Sequence, residues 1–203
     1  RTHEENIMPL GANKAAIMGV AGTAAAGDVV LLSTQTAEGD TSITFDSQIS
    51  STYGEYVWKW YDVNPVNDNV NFGFQVNAAS QSGYNETVAT TLFTNNALES
   101  GGTPAFAQDT TNDETDTGLM NLNTGIGNGS DETCVGELHV FNPTNTSLVK
   151  IWFSDSQTYR SDNGAFQDYH GGFIDVTAAV TDFNFKMSDG GEFDGVMKLW
   201  GIK

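Results

Sequence analysis

The residues on this chain with chemistry to offer are three histidines, one cysteine and a surplus of carboxylates. His3, His139 and His170 stand far apart, and no pair has the spacing that sets two imidazoles on one metal. His3 lies near the start, His139 falls half-exposed in a strand-like run, and His170 falls in a loop after Tyr169. Serine and aspartate are abundant, but no Gly-x-Ser-x-Gly elbow marks one serine as a nucleophile. Glu137, Asp155, Asp175 and Asp194 lie near predicted strands. A glycosidase would need two such carboxyls about 5 Å or 6.5–9.5 Å apart across a cleft. Cys134 is the lone cysteine, so the sequence has no intrachain disulfide and no cysteine-based metal site. It suits a small buried thiol.

Two loops invite a ligand and fail its pattern. The run Gly125-Ile126-Gly127-Asn128-Gly129 lacks the Lys-Ser/Thr of a phosphate loop and is expected to be a β-turn. The acidic run 109–116, DTTNDETD, is the best calcium candidate because hard cations take several carboxylate oxygens. It has neither the glycine nor the closing glutamate of an EF-hand loop, so a solvated loop is expected. Three glycosylation sequons begin at Asn85, Asn128 and Asn145, but a chain this rich in Asn, Ser and Thr matches them by chance. Among the aromatics, Trp58, Trp60, Tyr61, Trp152 and Trp200 sit in strand-like runs and are expected to serve the core. Tyr159, Phe166, Tyr169 and His170 instead surround a polar loop at 161–163 and form the first candidate contact for a ligand or partner. No cofactor or metal is expected.

The elements that must position these residues are strands. Period-two alternation marks 41–46, with Ile43 and Phe45 on one face, and 56–63, with Tyr56, Trp58 and Trp60 against Val57, Lys59 and Tyr61. Val70, Phe72, Phe74 and Val76 share a face of a third run. Further strands are expected at 29–36, 86–94, 135–141, 148–153 and 172–177, and a turn at 142–147. The last two segments, 182–187 and 195–202, flank a Ser-Asp-Gly-Gly tip and read as a closing hairpin. Residues 95–134 give the weakest local signal. About ten strands, spaced mostly 8–15 residues apart, predict an all-β, jelly-roll-like antiparallel β-sandwich over residues 28–203.

Residues 1–27 differ in kind: they are rich in Ala and Gly and lack alternation. An extended N-terminal arm is expected there, with Ile7, Met8, Leu10, Ile17, Met18 and Val20 as the docking contacts that such exposed apolar residues imply. If the final strand ends the fold, attachment falls to this arm. Twenty-six Asp and Glu against eight Lys and Arg give a net charge of −18. Phosphate backbones and anionic membrane surfaces are therefore unsuitable partners, and no apolar run reaches the roughly 18 residues of a membrane span.

The order of segments resembles a jelly-roll module of tailed-bacteriophage virion proteins, common in marine phages. The resemblance rests on Ile43-Thr44-Phe45, Tyr53 and Tyr56, and the turn Asn64-Pro65. It continues through GELHVFNPTNTSLVKIWF and is best at the C-terminal end, where Asp189-Gly190, Gly195 and Lys198-Leu199-Trp200-Gly201-Ile202 fit a closing pattern that usually has Tyr in place of Trp200. It covers residues 28–203, departs at the acidic run 109–116 and leaves the arm outside. What it implies is a non-enzymatic virion structural protein, assembled in the host bacterial cytoplasm. A capsid decoration or cement role comes first, and a tail or head fibre component second. The implied partners are the major capsid or tail proteins, further copies in a homotrimer, and a host-surface glycan, with no nucleic acid and no membrane. From the residues alone, the competing classes are a carbohydrate-binding module using Tyr159, Phe166 and Tyr169, and a glycoside hydrolase.

Overall fold

A computed structural model describes residues 28–203. The arm residues Ile7, Met8, Leu10, Ile17, Met18 and Val20, and His3, lie outside the described residues. Twelve strands follow in chain order: β1 (Val29–Asp40), β2 (Ser42–Phe45), β3 (Glu55–Pro65), β4 (Phe72–Ala78), β5 (Val88–Leu98), β6 (Ala105–Gln108), β7 (Met120–Asn121), β8 (Cys134–Phe141), β9 (Lys150–Arg160), β10 (Gly164–Ile174), β11 (Val180–Met187) and β12 (Phe193–Ile202). They form two antiparallel sheets, ordered β1-β12-β3-β8-β9-β10-β5-β6 and β2-β11-β4-β7. The described residues are an all-β sandwich with no helix.

The alternation in the sequence builds the core directly. Tyr56, Trp58 and Trp60 of β3 point between the sheets, as do Phe72 and Phe74 of β4 and Phe183 and Phe185 of β11, all fully buried. Rings from opposite sheets interlock: Trp58 lies 4.5 Å from Phe183, Trp60 5.9 Å from Phe72, and Trp152 5.1 Å edge-on to Phe74. Each such ring contributes about 1.5–3 kcal/mol through burial, and edge-on pairs add to that. Cys134 is buried as expected, accepting hydrogen bonds from Trp60 Nε1 and Thr158 Oγ1, and burial pushes its thiol up to about 11.

Several expectations are corrected. The last two strands do not form a hairpin in one sheet: β11 pairs with β2 and β4, whereas β12 lies between β1 and β3 in the other sheet. Residues 188–192 therefore arch from sheet to sheet, and β12 is an interior strand, not a closing edge. The expected strands at 148–153 and 172–177 are the outer ends of one long hairpin, β9 and β10, paired residue by residue around a tip at 161–163. Its middle is too polar to read as strand, because hydroxyls and an acid occupy the inward positions. The weak stretch 95–134 holds β6 and β7. Gly125–Gly129 is not a simple exposed turn: Ile126 is buried and bridges Val70 and Arg160, tying the sheets together. Pro65 ends β3 rather than opening a turn.

Candidate functional site

The eight-stranded sheet has two faces of opposite character, and the four predicted contact residues divide between them. Tyr159 and Tyr169 point outward from β9 and β10. Phe166 and His170 point inward and are only 4% and 3% exposed. His170 is thus a strand residue, not a loop residue, because β10 extends through the segment expected to be loop. Tyr159 faces Ala165 across the hairpin, four residues from Tyr169 and so about 13 Å from it along the strand. The four residues do not form one platform. Phe166 packs under the Arg160 guanidinium, 4.0 Å from its ring centre, and Tyr159 Oη reaches Glu99 at 3.3 Å.

Inward, β9, β10 and β5 carry a polar tier. Ser154 stands opposite His170, and Ser156 opposite Asp168, which also faces Thr94. The segment 109–126 covers this tier. Its Asp109 N–H donates to the Leu92 carbonyl, its Glu114 N–H donates to Thr90 Oγ1, and its Thr124 donates to Asp168 Oδ2 from both N–H and hydroxyl. Burial pushes the Asp168 carboxyl up against those hydrogen bonds. Burial lowers His170 to about 3, with Asp109 opposing, so its imidazole is neutral. Ser, His and Asp are thus gathered as in a nucleophilic triad, but neither ring nitrogen of His170 has a hydrogen-bond partner among the described residues. A triad needs Ser–His and His–Asp hydrogen bonds, and the tier is closed from above. Orphaned buried groups cost about 1–3 kcal/mol each, and polar tiers of this kind are where folded proteins hold internal water.

The outer face is open and aromatic. One cross-strand row runs Leu31, Trp200, Val57, His139, Phe153, Gly171, Thr91 from β1 to β5. Beside it lie Val29, Ile202, Glu55 and Phe141, then Ile151, Phe173 and Ala89. Phe153 is 45% and Ile151 51% exposed, and Phe153 stacks on His139 at 4.6 Å and leans on Phe141 at 5.8 Å. The third row carries charge: Lys198, Lys59, Glu137 and Asp155, followed by Tyr169 and Phe93. The opposite outer face, on β2, β11 and β4, is polar, with Ser42, Lys186, Thr44, Asn184 and Gln75 in register.

The remaining chemical candidates find no site. Glu137 and Asp155 are cross-strand neighbours, but they lie on the open sheet face rather than across a cleft. Hydrogen bonding and charge from Lys59, opposed by partial burial, hold Glu137 below the usual carboxylate range, with His139 assisting. A glycosidase acid requires the opposite shift. Asp194 is engaged by the Gly39 N–H, and Asp175 lies just past β10. In the run 109–116, Asp109 accepts from the Thr111 N–H and the Asn112 side chain, and Glu114 from the Thr115 and Asp116 N–H groups. No group of three or more His, Cys, Asp or Glu converges for a metal among the described residues. The outer face escapes a sequence reading because its aromatics alternate with the core residues of the same strands, and only the register shows which rows they join. No protein-family model matches the chain, and no curated protein matches it.

Proposed function

We propose that this chain is a non-enzymatic structural module of a bacteriophage particle, with a jelly-roll fold and a capsid decoration or cement role. The observation that carries the reading is the pairing order. Taken in chain order, β1, β2, β3, β4, β7, β8, β11 and β12 pair first with last, second with seventh, third with sixth and fourth with fifth. That nesting, a hairpin of four-strand halves rolled over itself, supports the jelly-roll reading. The other four strands, β5, β6, β9 and β10, all extend one sheet and broaden its outer face. An aromatic surface of this kind favours protein contact over catalysis.

In this reading residues 1–27 attach the module to capsid or tail proteins through Ile7, Met8, Leu10, Ile17, Met18 and Val20, and the protein resides in the virion after assembly in the host cytoplasm. A phage encoding the chain without residues 1–27 tests it. The expected result is particles lacking the protein while the truncated domain, purified alone, unfolds cooperatively. Particles that still carry the truncated protein overturn the arm's role, and particles that lack the full-length protein overturn the virion reading. The second reading is a fibre component that binds host carbohydrate, favoured by the outward Tyr169 at 41% exposure. It requires glycan-array binding that Tyr169→Ala abolishes.

A further inference from the structure

The charged row on the outer face is ordered as two cations followed by two anions: Lys198 on β12, Lys59 on β3, Glu137 on β8, Asp155 on β9. Such an order is complementary to itself after a half-turn. A twofold axis parallel to the strands, running between β3 and β8, carries β3 onto β8, β12 onto β9 and β1 onto β10. It sets Lys59 over Glu137 and Lys198 over Asp155 of the second copy, and the reverse.

The apolar rows obey the same operation. Trp200 meets Phe153 of the second copy, Ile202 meets Ile151, Val29 meets Phe173 and Val57 meets His139. Leu31 meets Gly171, which has no side chain to obstruct it. Glu55 falls over Phe141 and Val57 is only 4% exposed, but at most other positions of the three rows the operator pairs cation with anion and apolar with apolar residues.

The charge agrees with this geometry, and the area is that of a modest interface. Six strands spaced about 4.8 Å apart, with three rows covering about 20 Å of their length, present roughly 600 Å², somewhat below the roughly 800 Å² per partner of a standard interface. A chain with net charge −18 repels its own copies over most of its surface. Its first two outer rows carry little charge beyond Glu55, whose carboxylate is engaged by His139. Copies can therefore approach most cheaply through this face.

We propose that the outer face of the eight-stranded sheet is a twofold, face-to-face docking surface for a second copy of this chain. The proposal deepens the assembly reading, and it assigns a dimer where the resemblance implies a trimer. Sheets packed face to face lie about 10 Å apart.

The test is the mass of the full-length protein in solution by light scattering, separate from any assay on particles. The wild type is expected to be a dimer, and Phe153→Glu to weaken it by roughly a hundredfold or more, as loss of a central aromatic contact does. Phe153 is exposed, so the variant keeps its fold, checked by circular dichroism. The decisive arm uses two charge variants. Lys59→Glu with Lys198→Glu makes the row wholly acidic, and Glu137→Lys with Asp155→Lys makes it wholly basic. Each alone is expected to be monomeric, and their mixture to form a heterodimer. A wild-type monomer or trimer overturns the proposal, as does a dimer that survives both charge variants. Dimerisation only after deletion of residues 1–27 also overturns it, by making the chain's own N-terminal segment the occupant. None of these outcomes bears on particle incorporation, so the two readings fail separately.

Discussion

The two halves of the eight-stranded sheet are built against different neighbours, and their inner faces differ accordingly. The half formed by β1, β12, β3 and β8 is backed by a second sheet, and it buries Trp58, Trp60, Leu138, Met197 and Leu199 against phenylalanines. The half formed by β9, β10, β5 and β6 is backed in good part by the mostly irregular segment 109–126, and beside Trp152, Leu92 and Phe166 it buries Ser154, Ser156, Thr158, Asp168 and His170. A sheet has satisfied its backbone internally and offers a neighbour only side chains. An irregular segment brings unpaired N–H and C=O groups that need polar partners. Thr124 and Glu114 find theirs in Asp168 and Thr90. The identity of an inward residue therefore reports what covers it, as much as how deeply it is buried.

The sharpest way to break this contrast is to truncate the apolar half. Trp58→Ala, in the apolar half, removes a fully buried ring that touches Phe45, Phe183 and Phe185. Urea unfolding is expected to show a loss of about 3–5 kcal/mol, and a loss under about 1 kcal/mol would deny that this half dominates stability.

Second in size is a pH effect confined to the polar half. The unfolded chain takes up a proton on His170 near pH 6.5, whereas the folded protein refuses it down to about pH 3. Stability therefore falls as pH drops through that window, by up to about 1.4 kcal/mol per pH unit. Asp168, raised by burial, contributes with the opposite sign above its unfolded value. The clean readout is thus the difference between wild type and His170→Leu, measured by denaturant titration at several pH values. The difference is expected to grow in favour of the variant from about pH 6.5 downward. A difference that does not change with pH would mean the imidazole is solvated.

The smallest expected effect lies on the outer face. Lys59 and Glu137 meet at 2.9 Å with both side chains substantially exposed, and such pairs contribute at most about 1 kcal/mol. Lys59→Met is expected to leave the monomer's unfolding midpoint nearly unchanged while weakening self-association. A large stability loss would make this row part of the fold rather than part of a surface.

Legibility in the sequence follows the same division. Strands β2, β3 and β4 are readable because Ile43 and Phe45, Tyr56, Trp58 and Trp60, and Phe72, Phe74 and Val76 recur at every second position. The middle of β9 and β10 is not, because Ser154, Ser156, Asp168 and His170 imitate a loop when their cover is unknown. Pairing between distant segments was equally hidden, which is why β11 and β12 resemble a hairpin until their partners are seen. The outer face fared similarly. Tyr159 and Tyr169 were singled out, but Phe153, Ile151 and Trp200 become a surface only through register.

The arch between β11 and β12 has a consequence for the order of events during synthesis. Among the described strands β12 is the last to leave the ribosome, yet it belongs between β1 and β3, the first and third of them. Until it arrives, β1 has no partner among the described strands and β3 has an open edge. At about 5–20 residues per second, the wait from Asp40 to Phe193 lasts on the order of ten to thirty seconds. From the completion of β3 at Pro65 onward the nascent chain holds unpaired edges on both β1 and β3, the kind of surface that recruits neighbouring chains. The net charge of −18 opposes such pairing, because like-charged nascent chains repel one another.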